Sequence, residues 1–249
     1  MLLWSAQYAG THYQLRRAGH SLRLYRNGVF HSQYNGARPL NGGVWDMLWI
    51  PLCARPPQSL RRVLMLGVGC GAALKKIADY FPAAELTGVD LDALHLWLAK
   101  RYLGLGSDAC SLHCSDAVTW LQRAGGQRFD VIIDDLFGEG EAGPQRAVAL
   151  DDKWRRTLQR HLAPAGLLVA NCVHSREARA LYQQDTAGFP HALGLREAGY
   201  ENRVVLASKQ PLDMAALKRR YAALMAAHWG KRNARLPVTM TLGRLSQPK

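Results

Sequence analysis

Three aspartates and one run of glycines carry the chemistry that can be read from this chain of 249 residues. Gly67, Gly69 and Gly71 lie in Gly67-Val68-Gly69-Cys70-Gly71, at the end of an apolar run that begins at Val63. A glycine turn between a strand and a helix lets main-chain N–H groups face a ligand at the positive end of that helix. Asp90 follows about twenty residues beyond the glycines, where an acid at the end of a second strand can accept both hydroxyls of a ribose. Asp116 and Asp135 end two later strand-like stretches. In an open parallel sheet, ligands bind beyond the carboxyl ends of the strands. Asp116 can therefore take the exocyclic amine of adenine, and Asp135 can face the reacting centre. The glycines also satisfy Gly-x-Gly-x-x-Ala with Ala72 third, so alone they leave a dinucleotide open. Asp116 and Asp135 have no clear task in hydride transfer and decide against it.

The elements that must position these residues follow from periodicity. Val63 to Val68 has no polar alternation, as in a parallel strand buried on both faces. A helix begins near Ala72 with Leu74, Ile77 and Ala78 on one face, and Glu85 to Val89 is the second strand. The next helix shows Leu94, Trp97, Leu98 and Arg101 on one face and ends at Gly104 and Gly106. His95 inside it reads as half-exposed. Ser111 to Cys114 is the third strand, closed by Ser115-Asp116-Ala117. Phe129 to Ile133 is the fourth, closed by Asp134-Asp135, and Asp134 points away from the cleft because successive strand residues face opposite sides.

Phe137 to Pro144 reads as a mobile acidic loop over the site. Helix spacing resumes through Val148, Trp154, Leu158 and Leu162, before a fifth strand over Leu167 to Val173. Ser175 caps a helix reaching Leu181. Two late strands, His191 to Arg196 and Arg203 to Ala207, precede a closing helix capped by Asp213. This alternation specifies an α/β fold, a Rossmann-like doubly wound and mostly parallel sheet. In front of it, Asn27-Gly28 between two strand-like runs marks a type I′ hairpin, and hence a small antiparallel β appendage. A short helix near Val44 to Pro51 leads into the main domain. The expected units are residues 1–55, 56–230 and a tail at 231–249.

Composition bounds the rest. There are 32 Lys and Arg against 19 Asp and Glu, a formal net charge of +13, which favours anionic partners. The basic residues are scattered rather than gathered in one stripe, so they read as solvated faces and not as a nucleic-acid groove. No apolar run is long enough to span a bilayer and the first residues lack a secretory pattern, so a cytoplasmic protein is expected. The five cysteines are odd in number and dispersed, which fits reduced thiols. Cys110 and Cys114 bracket His113 without a second ligand pair, so both read as buried inert thiols and no metal is expected.

The strand and loop VLMLGVGCGAA, the strand end GVDLD, the SDA turn, FDVIIDDLFGEG and LDDKWRRTLQRHLAPAGLLVAN together resemble the class I S-adenosylmethionine-dependent transferase fold, and in finer detail spermidine synthase and its relatives. That resemblance spans almost the whole chain. It implies a donor site made of Gly67, Gly69, Cys70, Gly71, Asp90, Leu91, Asp116 and Ala117. It also implies that Asp135 deprotonates an amine receiving an aminopropyl group, that the co-substrate is S-adenosylmethionine or its decarboxylated form, and that the protein is a homodimer.

Three positions depart from the pattern. Cys70 stands where the family carries an Asp for the donor's amine, Gly138 where a second Asp grips the polyamine, and Val44-Trp45-Asp46 where a Tyr-Gln/His-Glu segment is found. Each change removes a partner that a polycation needs in a desolvated pocket. Methyl transfer therefore stays open beside aminopropyl transfer, with loop N–H groups or Lys75 available to a donor carboxylate. So does a non-catalytic nucleoside-binding module.

Overall fold

In a computed structural model, the described residues are 1–140, 143–173, 175, 177, 178, 189–237 and 239–244. Four strands open the chain as an antiparallel meander: β1 (Leu2–Tyr8), β2 (Thr11–Ala18), β3 (Ser21–Arg26) and β4 (Val29–Asn35). Asn27 and Gly28 both have positive φ, 49° and 79°, so the expected type I′ turn is present. Ala9 and Gly10 make the same kind of turn between β1 and β2 (φ 47° and 77°). The appendage is thus a full sheet rather than one hairpin. Helix α1 (Val44–Trp49) and a 3₁₀ turn (Ile50–Ala54) lead into the core.

The main sheet has eight strands. They are β5 (Arg62–Leu66), β6 (Glu85–Asp90), β7 (Cys110–Cys114), β8 (Phe129–Asp134), β11 (Leu162–Cys172), β12 (His191–Glu197), β13 (Arg203–Ser208) and β14 (Met240–Arg244). Their order is β14-β12-β13-β11-β8-β5-β6-β7, parallel from β11 to β7 and antiparallel beyond. Helices α2 (Ala72–Tyr80), α3 (Ala93–Leu103), α4 (Ala117–Arg123), α5 (Asp152–Arg160) and α6 (Met214–Trp229) cover the sheet. Val63 and Met65 enter one core and Leu64 and Leu66 the other, so the unbroken apolar run does bury both faces of β5.

Several local expectations are corrected. Phe137 to Pro144 is not an unstructured loop, because β9 (Phe137–Gly140) pairs antiparallel with β10 (Gly143–Arg146). The Glu139 side chain and Glu141 lie outside the described residues, as does the Leu181 end of the helix expected from Ser175. Leu162 belongs to β11 rather than to α5, and Met240–Arg244, placed in a tail by sequence, forms an edge strand beside β12. Trp97 is exposed and its ring meets that of Trp4 at a tilt, with centroids 5.3 Å apart, so α3 also packs against the N-terminal sheet. Cys114 is exposed because β7 is the sheet's edge strand, whereas Cys110 is buried; all five thiols are free.

Candidate active site

Sheet register brings the key acids to one rim. Leu66 is paired with Val89 on one side and Asp134 on the other, Asp90 is paired with Cys114, and Asp134 with Ala170. Gly67, Ser115 and Asp135, the first residues past β5, β7 and β8, therefore lie along one rim with Asp90 at the end of β6 and Asn171 near the end of β11. Chain order reverses at β5, which has β6 on one side and β8 on the other, and this is where an open sheet forms a ligand crevice. Asp90 and Asp135 are two strand spacings apart, roughly 10 Å. An adenosine with a sulfonium arm can bridge that span.

Gly67 has φ +83°, and a Cβ there would stand 2.1 Å from the Asp135 carbonyl oxygen. The Asp135 N–H donates to the Leu66 carbonyl (2.9 Å) and the Gly67 N–H to that of Val89 (2.8 Å). Glycine at 67 thus seats the loop directly on the backbone that carries Asp135. Gly69 differs: its φ is +52°, yet an added Cβ would meet nothing within 4 Å. It is free of packing, as a position under a ligand should be. Gly71 precedes α2, and its N–H donates to the Val68 carbonyl.

The Asp90 carboxylate accepts the Gly69 N–H at 2.7 Å on Oδ2 and the Asp92 N–H at 2.8 Å on Oδ1. Both acceptor atoms keep lone pairs for further donors. Leu91 beside it is 75% exposed, an apolar surface next to the acid. Asp116 caps α4 by accepting the Thr119 N–H at 2.8 Å and is exposed; Ala117 behind it is buried.

Asp135 is half-buried and accepts the Asn171 side-chain N–H at 2.7 Å. Asn202 donates to Asn171 Oδ1 at 3.1 Å, which fixes the Asn171 amide with its nitrogen toward Asp135. Burial pushes the Asp135 carboxyl up to about 7; the Asn171 bond and the Arg146 charge oppose this, while Asp134 and Asp90 add to it. Asp134 does point away from the cleft, as alternation requires. It is fully buried and accepts from Arg146 Nη2 (2.7 Å) and Trp154 Nε1 (2.9 Å), so it offers no free charge to a substrate.

The departures from pattern are resolved differently. Cys70 is 6% exposed and belongs to a small apolar cluster with Tyr13, Leu15, Leu24 and Leu98, where burial pushes its thiol up to about 12. It is turned into the contact with the N-terminal sheet. Asp46 is buried and committed to the N–H groups of Asn41 and Gly42 and to Trp49 Nε1. Lys75 is paired with Asp79 on its own helix, not held for a donor carboxylate.

Asn171, Asn202 and Arg146 were not anticipated. Asn171 was open to discovery, being the polar residue that ends the apolar run Leu167–Ala170 just as Asp90 and Asp135 end theirs. Arg146 carried no such signal, since it arrives from the unforeseen β9–β10 hairpin. His95, expected half-exposed, is buried against the N-terminal sheet.

Residues 46–186 match the spermine/spermidine synthase domain. A polyamine aminopropyltransferase of Vibrio vulnificus is 28% identical over 177 residues, covering 67% of this chain and 56% of that protein. The chain thus spans about half the length of the curated relatives it matches. A probable spermidine synthase from Corynebacterium glutamicum superimposes with a TM-score of 0.73 at 19% identity, over 97% of this chain and 90% of that one. A spermidine synthase in complex with the transition-state analogue AdoDATO gives 0.67 at 15% identity, over 89% and 78%. The fold is that of class I S-adenosylmethionine-dependent transferases, and with more than half its length inside the domain match the chain belongs to the spermine/spermidine synthase domain family.

Proposed function

We propose that this protein binds a nucleoside sulfonium donor of the S-adenosylmethionine type and transfers its aminopropyl group to an amine. The observation that carries the reading is the single rim that holds Gly67, Asp90 and Asp135, with Asp116 two residues beyond the adjoining strand β7 and Asp135 held by the Asn171 amide. In this reading Asp90 accepts the ribose hydroxyls, Asp116 the adenine amine, Leu91 and Ala117 flank the base, and the N–H groups of the glycine loop face the sulfonium arm. The acceptor's nitrogen lone pair attacks the carbon beside sulfur, the C–S bond breaks with its electron pair left on a neutral thioether, and Asp135 takes the ammonium proton. Holding donor and acceptor in line supplies most of the rate, and proton acceptance adds to it. The relatives' names favour aminopropyl over methyl transfer, and their donors imply the decarboxylated form.

Methyl transfer is the second reading, favoured by Cys70. Its buried neutral thiol cannot counter a free donor amine as a carboxylate would. The test is incubation with S-adenosylmethionine or its decarboxylated form and a panel of mono- and polyamines, read by mass spectrometry. An aminopropyl adduct supports the first reading and a methyl adduct the second. Tight methylthioadenosine binding without turnover of any amine would overturn both in favour of a binding module. Self-association, implied by the resemblance, is checked by sedimentation of the same preparation.

A further inference from the structure

The carboxylate at the end of β6 has a neighbour that the donor site above does not use. His95, in the first turn of α3, is 5% exposed and lies between two acids. Its Nδ1 is 3.6 Å from Asp90 Oδ1, and its Nε2 is 3.6 Å from Asp92 Oδ2. That Nε2 is fully buried and makes no hydrogen bond among the described residues. A buried polar atom left so is costly and needs a reason.

The N-terminal sheet holds the ring in this place. His31 of β4 lies over it, with centroids 5.0 Å apart and planes 32° apart, and Tyr13 of β2 meets it edge-on at 5.9 Å. The Tyr13 hydroxyl also donates to Asp92 Oδ2 at 2.5 Å. Arg26 of β3 stacks over Tyr13 at 5.9 Å. Burial, aided by His95 and Arg26, pushes His31 down to about 4, so at neutral pH its ring acts by contact and not by charge. Burial alone would raise the Asp92 carboxyl. His95, the Tyr13 hydroxyl and the N–H groups of His95 and Leu94 outweigh it and hold Asp92 below the usual carboxylate range.

We propose that His95 is a positioning residue for the nucleoside: clamped between His31 and Tyr13, it fixes the Asp90 carboxylate and makes ribose recognition depend on the N-terminal sheet. The inference rests on Asp90 being the ribose acceptor. The two N–H groups that Asp90 accepts come from the glycine loop and from Asp92, both in the same sheet's connections, whereas His95 is held by a different sheet. It closes the third side of the carboxylate and leaves only the cleft side for hydroxyls.

The test compares two ligands on the full chain by calorimetry, methylthioadenosine and its analogue lacking both ribose hydroxyls. Wild type should prefer the hydroxylated nucleoside by about tenfold or more, the value of charge-assisted hydrogen bonds. His95→Leu should bring that ratio close to one. His95→Asn puts an amide nitrogen where Nδ1 faces Asp90 and should restore the preference, while His95→Gln reaches Asp92 instead and should not. A merely structural role would weaken both ligands alike and leave the ratio unchanged in all folded variants, which overturns the proposal. If wild type itself shows no preference, Asp90 is not the ribose acceptor and the donor-site reading falls with it; that outcome is visible before any variant is made.

Discussion

Asp90 and Asp135 end strands two places apart in one sheet, yet their surroundings make them different reagents. Asp90 accepts two backbone N–H groups and has His95 beside it, the setting of an acceptor held in one orientation toward hydroxyls. Asp135 has one amide bond and a desolvated position, and its carboxyl is pushed up to about 7. An acid near neutrality is suited to exchange a proton at working pH. The same topological rule places both; in the proposed reaction the second layer of partners suits one to grip and the other to exchange a proton.

Removing the carboxylate proposed to react is the hardest test of this contrast. Asp135→Asn keeps the shape and the Asn171 contact, and should lower kcat/KM by about 100- to 10,000-fold with donor affinity nearly unchanged. It should also raise Tm. Because the folded-state pKa lies above the unfolded one, the folded protein binds this proton more tightly, so the group costs the fold progressively more as pH rises from the ordinary carboxylate range to about 7 and the full penalty holds above it. The gain in Tm should therefore be larger at pH 8 than at pH 5. A loss of donor affinity equal to the loss of rate would erase the division of labour.

At the other acid the pattern should invert. Asp90→Asn removes a charge from the nucleoside end and should weaken methylthioadenosine binding by about 10- to 100-fold, with turnover at saturating donor little altered. Calorimetry and saturation kinetics on one preparation separate the two outcomes.

The asymmetry between the acids explains what could be read from sequence. Apolar runs such as Val63–Leu66, Val131–Ile133 and Leu167–Ala170 announce buried parallel strands, and the acids at strand ends, Asp90 after Val89 and Asp135 after Asp134, announce the rim, so Asp90 and Asp135 were legible. Their partners were not. His95 is buried only because the N-terminal sheet folds over α3, a contact separated by dozens of residues that no helical period encodes. Arg146 reaches Asp134 from a hairpin whose strands, Phe137–Gly140 and Gly143–Arg146, lack β-branched residues altogether. Cys114 looked like Cys110 until strand order made β7 an edge. Local pattern locates reagents, and long-range packing tunes them.

A smaller effect tests the tuning at Asp135 itself. If Asp135 is the proton acceptor as proposed, activity should fall as pH drops through about 7. Asn171→Leu removes a bond that holds that carboxyl down, so the acidic limb of kcat/KM should move to higher pH. Activity at pH 7 should fall several-fold, by about the worth of one hydrogen bond to a charged group, and recover toward pH 9. A loss independent of pH would instead mean that Asn171 serves only to shape the pocket.

The smallest expected effect belongs to Cys70, and it bears on whether the donor end has one anchor or two. Position 70 is where the family pattern carries an acid for the donor's amine, and the resemblance alone puts Cys70 in the donor site without that acid's charge. The geometry points elsewhere: Cys70 packs with Tyr13, Leu15, Leu24 and Leu98, and burial pushes its thiol up to about 12, leaving no thiolate at neutral pH. Cys70→Ala should then lower stability by about 1 kcal/mol, the loss of one small buried group from an apolar cluster. Donor affinity should stay within about twofold of wild type, far less than one lost charge-assisted hydrogen bond. Cys70→Asp should not rescue amine recognition, because a carboxylate there would be buried among apolar side chains with the N-terminal sheet above it, and the variant should lose stability instead. Tighter binding of the decarboxylated donor by Cys70→Asp would show that the side chain can turn into the cleft, and Asp90 would then share the donor with a second anchor.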